Sequence, residues 1–159
     1  MRPVLAALLI CLAAAALEGV CAGPGVQHRL RTLRQPAWAA PFPVWIAIGA
    51  LYYLVCGIVA YRLLRLGLAQ PGVGVALALL ILVLLTNAVW NVAFFRAQDL
   101  RLSVQISMGY ALLVVALAGA LFRVDRAAGW VWVPYLIYLV YGTYWVVVVQ
   151  RMNADTPAA

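Results

Sequence analysis

The chain has 159 residues, 68% of them apolar and only 9% charged. A soluble globule this small keeps too large a surface-to-volume ratio to hide that much apolar side chain, so lipid must be the solvent for most of it. The formal charge is +7 and every basic residue is an arginine between or beside apolar runs, which fits lipid headgroups as the anionic partner and not nucleic acid.

The composition predicts a single all-α integral membrane domain over residues 1–159, a bundle of five transmembrane helices at about 3–22, 44–66, 73–95, 102–122 and 130–150. The first run follows Arg2 and is rich in Leu and Ala. It reads as a retained helix; a cleaved secretory signal is the alternative, and Glu18 sits awkwardly in a signal's apolar region. Glu18 fits the headgroup level and equally a functional acid inside the membrane. Gly19 and Gly23 are four apart and would allow close helix contact. Cys11, Cys21 and Cys56 are scattered without metal or redox spacing and read as small apolar filler.

Residues 23–43 read as a loop carrying His28, Arg29, Arg31, Arg34 and the prolines Pro36, Pro41 and Pro43. Trp38, Phe42 and Trp45 interleave with them, as an interfacial belt or as a lid over a pocket. His28 is the only histidine and reads as solvated surface, not as a haem ligand. The second helix carries Tyr52, Tyr53 and Tyr61 and ends in Arg62 and Arg65, long enough to reach the interface.

Gln70, Pro71 and Gly72 form a turn into the third helix, whose run from 66 to 95 contains no charge. Asn87, Trp90, Asn91 and Phe94 fall at spacings of three and four and share one helical stripe. An amide facing lipid would go unpaired at a cost of roughly several kcal/mol, so this stripe must face other helices or a cavity. It serves either as polar glue between helices or as one wall of a ligand pocket. The fourth helix brings Ser103, Gln105, Ser107 and Tyr110 to the same membrane depth. The fifth begins near Pro134 and carries Tyr135, Tyr138, Tyr141, Thr143, Tyr144 and Trp145. Tyr138, Tyr141 and Trp145 share a face, for stacking on a flat ligand or for packing between helices. The four valines at 146–149 are expected to touch lipid, and the tail at 151–159 to be mobile. With five spans the arginines divide five against six between the two sides, too evenly to set an orientation.

These residues together resemble the TspO/MBR family, the tryptophan-rich sensory proteins that include the mitochondrial translocator protein. Thr86-Asn87-Ala88-Val89-Trp90 with Phe94-Phe95 is similar to the family's third-helix signature. Pro134-Tyr135-Leu136-Ile137-Tyr138 with Asn153 is similar to that of its fifth helix. The first loop, Leu33-Arg34-Gln35-Pro36-Ala37-Trp38-Ala39-Ala40-Pro41, and Leu51-Tyr52 extend the likeness over nearly the whole chain. The chain departs from the family pattern at Gln35, where the family has Lys, and at Ala40, where it has Pro. Ile48 falls where the family has Trp, Tyr138 replaces a Trp tied to porphyrin photochemistry, and Val146 replaces an Asn. The Tyr of the family's C-terminal sterol motif would fall at Val147.

The resemblance implies a five-helix receptor or carrier for a flat hydrophobic ligand: a tetrapyrrole such as porphyrin or haem, or a sterol. It further implies a regulatory or transport role and a homodimer. Ligand contacts are expected from Trp38, Trp45, Tyr52, Asn87, Trp90, Asn91, Phe94, Tyr135, Tyr138 and Tyr141. Arg29, Arg31 and Arg34 are candidates for ligand carboxylates at the mouth; snorkelling to lipid phosphates is the alternative, favoured for each of them. No nucleophile–base pair, metal cluster or phosphate loop stands out in the sequence, so no catalytic residue, metal ligand or required cofactor is assigned. Two alternatives remain: an enzyme that degrades porphyrin in light and oxygen, and an interaction protein without a small ligand, using Glu18, Gly19 and Gly23 as a helix interface.

Overall fold

In the computed structural model, which describes residues 2–154, every regular element is helical. The helices are α1 (Arg2–Ala22), α2 (Val26–Thr32), α3 (Phe42–Leu66), α4 (Val73–Asn91), α5 (Leu100–Val124) and α6 (Arg126–Met152), with a π-helical turn at Val92–Arg96 continuing α4. Five of these, counting the π turn with α4, are long and apolar enough to cross a membrane. The expected five-span bundle is therefore present.

Three details differ from the sequence reading. The loop at 23–43 contains the short helix α2, because no proline falls between Pro24 and Pro36 and the residues between them are free to coil. The spans run a few residues past the apolar blocks, because their ends are set by polar caps. Asp99 accepts from the Leu102 N–H at 2.9 Å to start α5, and Asp125 accepts from the N–H groups of Ala127 and Ala128 at 3.0 and 3.3 Å to start α6. Pro43 occupies the first turn of α3, where its missing N–H costs nothing. Lastly, the valines at 146–149 do not all meet lipid: Val146 and Val149 are buried against Leu33, Phe94 and Trp145. Residues 155–159 of the tail lie outside the described residues.

The long helices close a ring in the order α1, α4, α5, α6, α3, each packed on the next and α3 returning to α1, with α3 also touching α4 across the middle. At the end bearing the chain's N-terminus the interior is solid. Val59, Leu63, Val73, Leu80, Leu117, Leu121 and Trp132 are fully buried there. The turn that enters α4 is equally tight. Gly72 takes φ +85°, and a Cβ at that position would stand 2.9 Å from a Val124 methyl, so both its backbone and its surroundings require glycine. Leu9, Leu112, Ile137 and Val140 point outward, each at least two-thirds exposed or close to it, as lipid-facing side chains do.

Candidate functional site

At the opposite end the ring does not fill. A cavity of about 460 Å³ lies among α1, α3, α4, α5 and α6, beneath α2. Helix periodicity explains which residues reach it. From α4, Asn87, Trp90 and Asn91 line the wall on one stripe. Past Asn91 the π turn widens the coil by about one residue per turn, which rotates Phe94 away and brings Phe95 onto the cavity face. Phe94 is instead fully buried behind the wall, stacked on Trp90 at 4.7 Å and against Trp145 at 5.5 Å. From α6, Tyr135, Tyr138 and Trp145 line the cavity, and from α3, Trp45 and Tyr53 do so.

Six of the ten expected contact residues thus converge on this space: Trp45, Asn87, Trp90, Asn91, Tyr135 and Tyr138. Four do not line it. Phe94 was turned away by the π turn. Tyr52 is buried one helical step off the wall, between Tyr53 and Tyr135, each 5.1 Å from its ring centre. Tyr141 accepts the Ala40 N–H at 2.9 Å, and Trp38 stacks on Tyr144 at 5.3 Å. These last two hold the 33–41 segment against α6 instead of meeting the cavity.

The arginines also stand elsewhere. None of Arg29, Arg31 and Arg34 lines the cavity. Arg29 donates to the Gln98 carbonyl at 3.1 Å and borders a separate polar basin with His28, Arg96 and Arg101. Burial lowers its guanidinium pKa from the ordinary Arg value. Arg31 is exposed, and Arg34 contributes only its backbone to a contact with Asn153. On the short α2, Val26 and Leu30 line the cavity whereas Arg29 and Arg31 do not.

Other lining residues carried a weaker signal in sequence. Glu18 and Gly19 come from α1, Ser107 and Tyr110 from α5, and Gly142 and Thr143 from α6. Part of this polarity is already satisfied. The Asn91 amide donates to the Asn87 carbonyl at 2.9 Å, Ser107 donates to the Ser103 carbonyl at 2.8 Å, and the Tyr110 and Tyr135 hydroxyls bond each other. Asn91 thus ties its own helix and does not bridge to another, while the stripe forms one cavity wall.

The segment that follows α2 is pinned to α6 by side chains that sequence spacing could not pair. The Trp145 indole donates to Gln35 Oε1 at 3.0 Å, and Gln35 donates onward to the Leu30 carbonyl at 3.0 Å. Asn153 accepts from the Arg34 N–H and donates to the Arg34 carbonyl, both at 3.0 Å, and donates to the Val149 carbonyl at 2.8 Å. Replacing Asn153 by Ala should loosen this clamp by about 1 kcal/mol, since its bonds are solvent-exposed. Amide hydrogen exchange at Arg34 should then quicken roughly fivefold with global stability little changed; unaltered exchange would show that the clamp holds nothing.

Residues 7–151 match the TspO/MBR family. The chain is 32% identical over 130 residues to a tryptophan-rich sensory protein of Cereibacter sphaeroides, covering 80% of this chain and 78% of that one. It is 25% identical over 123 residues to the tryptophan-rich protein TspO of Chlorobaculum tepidum, covering 77% of each.

Proposed function

Because the chain belongs to the TspO/MBR family, we propose that it is a multi-pass membrane receptor or carrier that takes a flat hydrophobic ligand of the tetrapyrrole class into the bundle. A sterol-like ligand is the variant of the same reading, and a homodimer and a regulatory or transport role belong to it. The observation that supports it is the convergence of Trp45, Trp90, Tyr135 and Tyr138 with Asn87 and Asn91 on one interior space. Rings in number with a few amides and hydroxyls suit a planar guest: the faces stack while the polar groups set its orientation. The volume of about 460 Å³ lies within the range of small-molecule sites. The short helix α2, whose Val26 and Leu30 line the cavity, would cover such a guest at this end of the bundle.

Titration of the purified protein with protoporphyrin IX should quench tryptophan fluorescence, and Trp90→Leu should remove a clear part of the quenching. No quenching, or the same quenching in Trp90→Leu, would overturn the proposal. Light scattering in a mild detergent tests the dimer.

A further inference from the structure

Five buried polar side-chain atoms among the described residues lack a hydrogen-bond partner, and three of them belong to residues lining the cavity. They are Glu18 Oε1, Tyr53 Oη and Trp90 Nε1. Glu18 and Tyr53 lie close to each other, with Asn87 also beside Glu18, yet no bond of proper geometry closes between them. An unpaired buried polar atom costs about 1–3 kcal/mol, more for a carboxylate. Three at one cavity indicate groups held ready for something that enters it.

The chemistry of the three differs. A carboxyl oxygen accepts, an indole N–H only donates, and a phenol does either. Glu18 is also the only Asp, Glu, Lys, Arg or His among the lining residues, so no cation inside would compensate an anionic guest. An anion buried in a cavity that holds no cation is opposed by desolvation, and by like charge whenever Glu18 is ionised.

We propose that the cavity is specific for planar aromatic ligands that present an N–H or O–H donor, neutral or cationic, to Glu18 and an acceptor to the Trp90 indole, and that it rejects ligands placing an anion at that end. This rests on the ligand-binding reading above and narrows it. A tetrapyrrole would enter ring first, with its carboxylates left away from Glu18.

Three acridines of similar size test it on the full chain in a neutral detergent. 9-Aminoacridine is a cation with exocyclic donors, 9-methylacridine has no donor, and acridine-9-carboxylate is an anion. The amino compound should bind about tenfold tighter than the methyl compound, from one charge-assisted hydrogen bond, and the carboxylate weakest. In Glu18→Leu the preference should shrink to about twofold or less. That variant removes an unpaired buried oxygen and leaves the fold intact. Glu18→Gln keeps an accepting oxygen and should fall between the two. Equal binding of the three acridines, or a preference that survives in Glu18→Leu, would mean that Glu18 meets only water, and the inference would be overturned while protoporphyrin quenching stood. Failure of every acridine together with failure of protoporphyrin IX would overturn both readings.

Discussion

Trp132→Ala should cost the protein about 3 kcal/mol of stability, the lower end of what removing a buried Trp costs in water-soluble cores. Trp132 is completely enclosed in the solid half of the bundle, its ring centre 5.0 Å from that of Tyr135, and its indole donates to the Val114 carbonyl of α5 at 3.2 Å. The size of the loss follows from the solvent. In lipid the unfolded reference also keeps apolar side chains out of water, so the transfer part of the usual penalty is reduced. The lost packing contacts and the hole left behind remain in full. Trp132→Phe keeps most of the volume and drops only the α5–α6 hydrogen bond, so it should cost about 1 kcal/mol. Thermal unfolding in detergent measures both. A Trp132→Ala protein as stable as the parent would show that this half of the bundle is not tightly packed.

The second large effect is expected at Asp125, in the turn between α5 and α6. Its carboxylate caps α6 and is paired with Arg62 of α3, Nε to Oδ2 at 2.7 Å and the second nitrogen to Oδ1 at 2.9 Å. The cap contributes about 1 kcal/mol. The ion pair adds less than its geometry suggests, because the Arg62 side chain is 36% exposed and water screens it. Asp125→Ala should therefore cost roughly 1.5–2 kcal/mol.

The same contacts predict a pH dependence. The Arg62 guanidinium, aided by the Ala128 and Ala127 N–H groups, holds the Asp125 carboxyl below its ordinary value, against the opposing effect of burial. The folded form binds this proton more weakly than the unfolded chain does. The stabilisation is thus complete above the unfolded value of about 3.9 and is lost as pH falls from there through the lower folded value. Melting temperatures of the parent should drop on going from neutral pH into this acid range. Asp125→Ala should start lower at neutral pH and lack this component. An identical acid response in parent and variant would rule out Asp125 as its source.

How far the amino-acid pattern reaches is clearest on α4. The stripe of Asn87, Trp90 and Asn91 was legible because an amide cannot be left facing acyl chains, and all three residues line the cavity. Phe94, one step further along the same stripe, was misplaced because nothing in its spacing announces a π turn. On α6, Tyr138 and Trp145 line the cavity, whereas Tyr141 between them is drawn to the Ala40 N–H, a group from a distant segment. Arg29, Arg31 and Arg34 were candidates for the mouth because the resemblance implies a pocket beneath the first loop, which carries them, and a guanidinium suits a carboxylate. On the unforeseen α2 it is Val26 and Leu30 that line the cavity.

By itself the sequence determined the solvent, the number of rods, their approximate ends and the family, since each depends on run length, composition and ordered local motifs. Tertiary structure alone decided which faces share the hollow: that α1 contributes Glu18, that Tyr53 and not Tyr52 lines the wall, and that Val146 and Val149 are covered while Val140 meets lipid. The reason lies in the medium. In water, polarity separates the outside of a helix from its inside, but in a bilayer both sides of a span are apolar. Hydropathy therefore says little about which side is which, and only the packing of one helix on another distinguishes them.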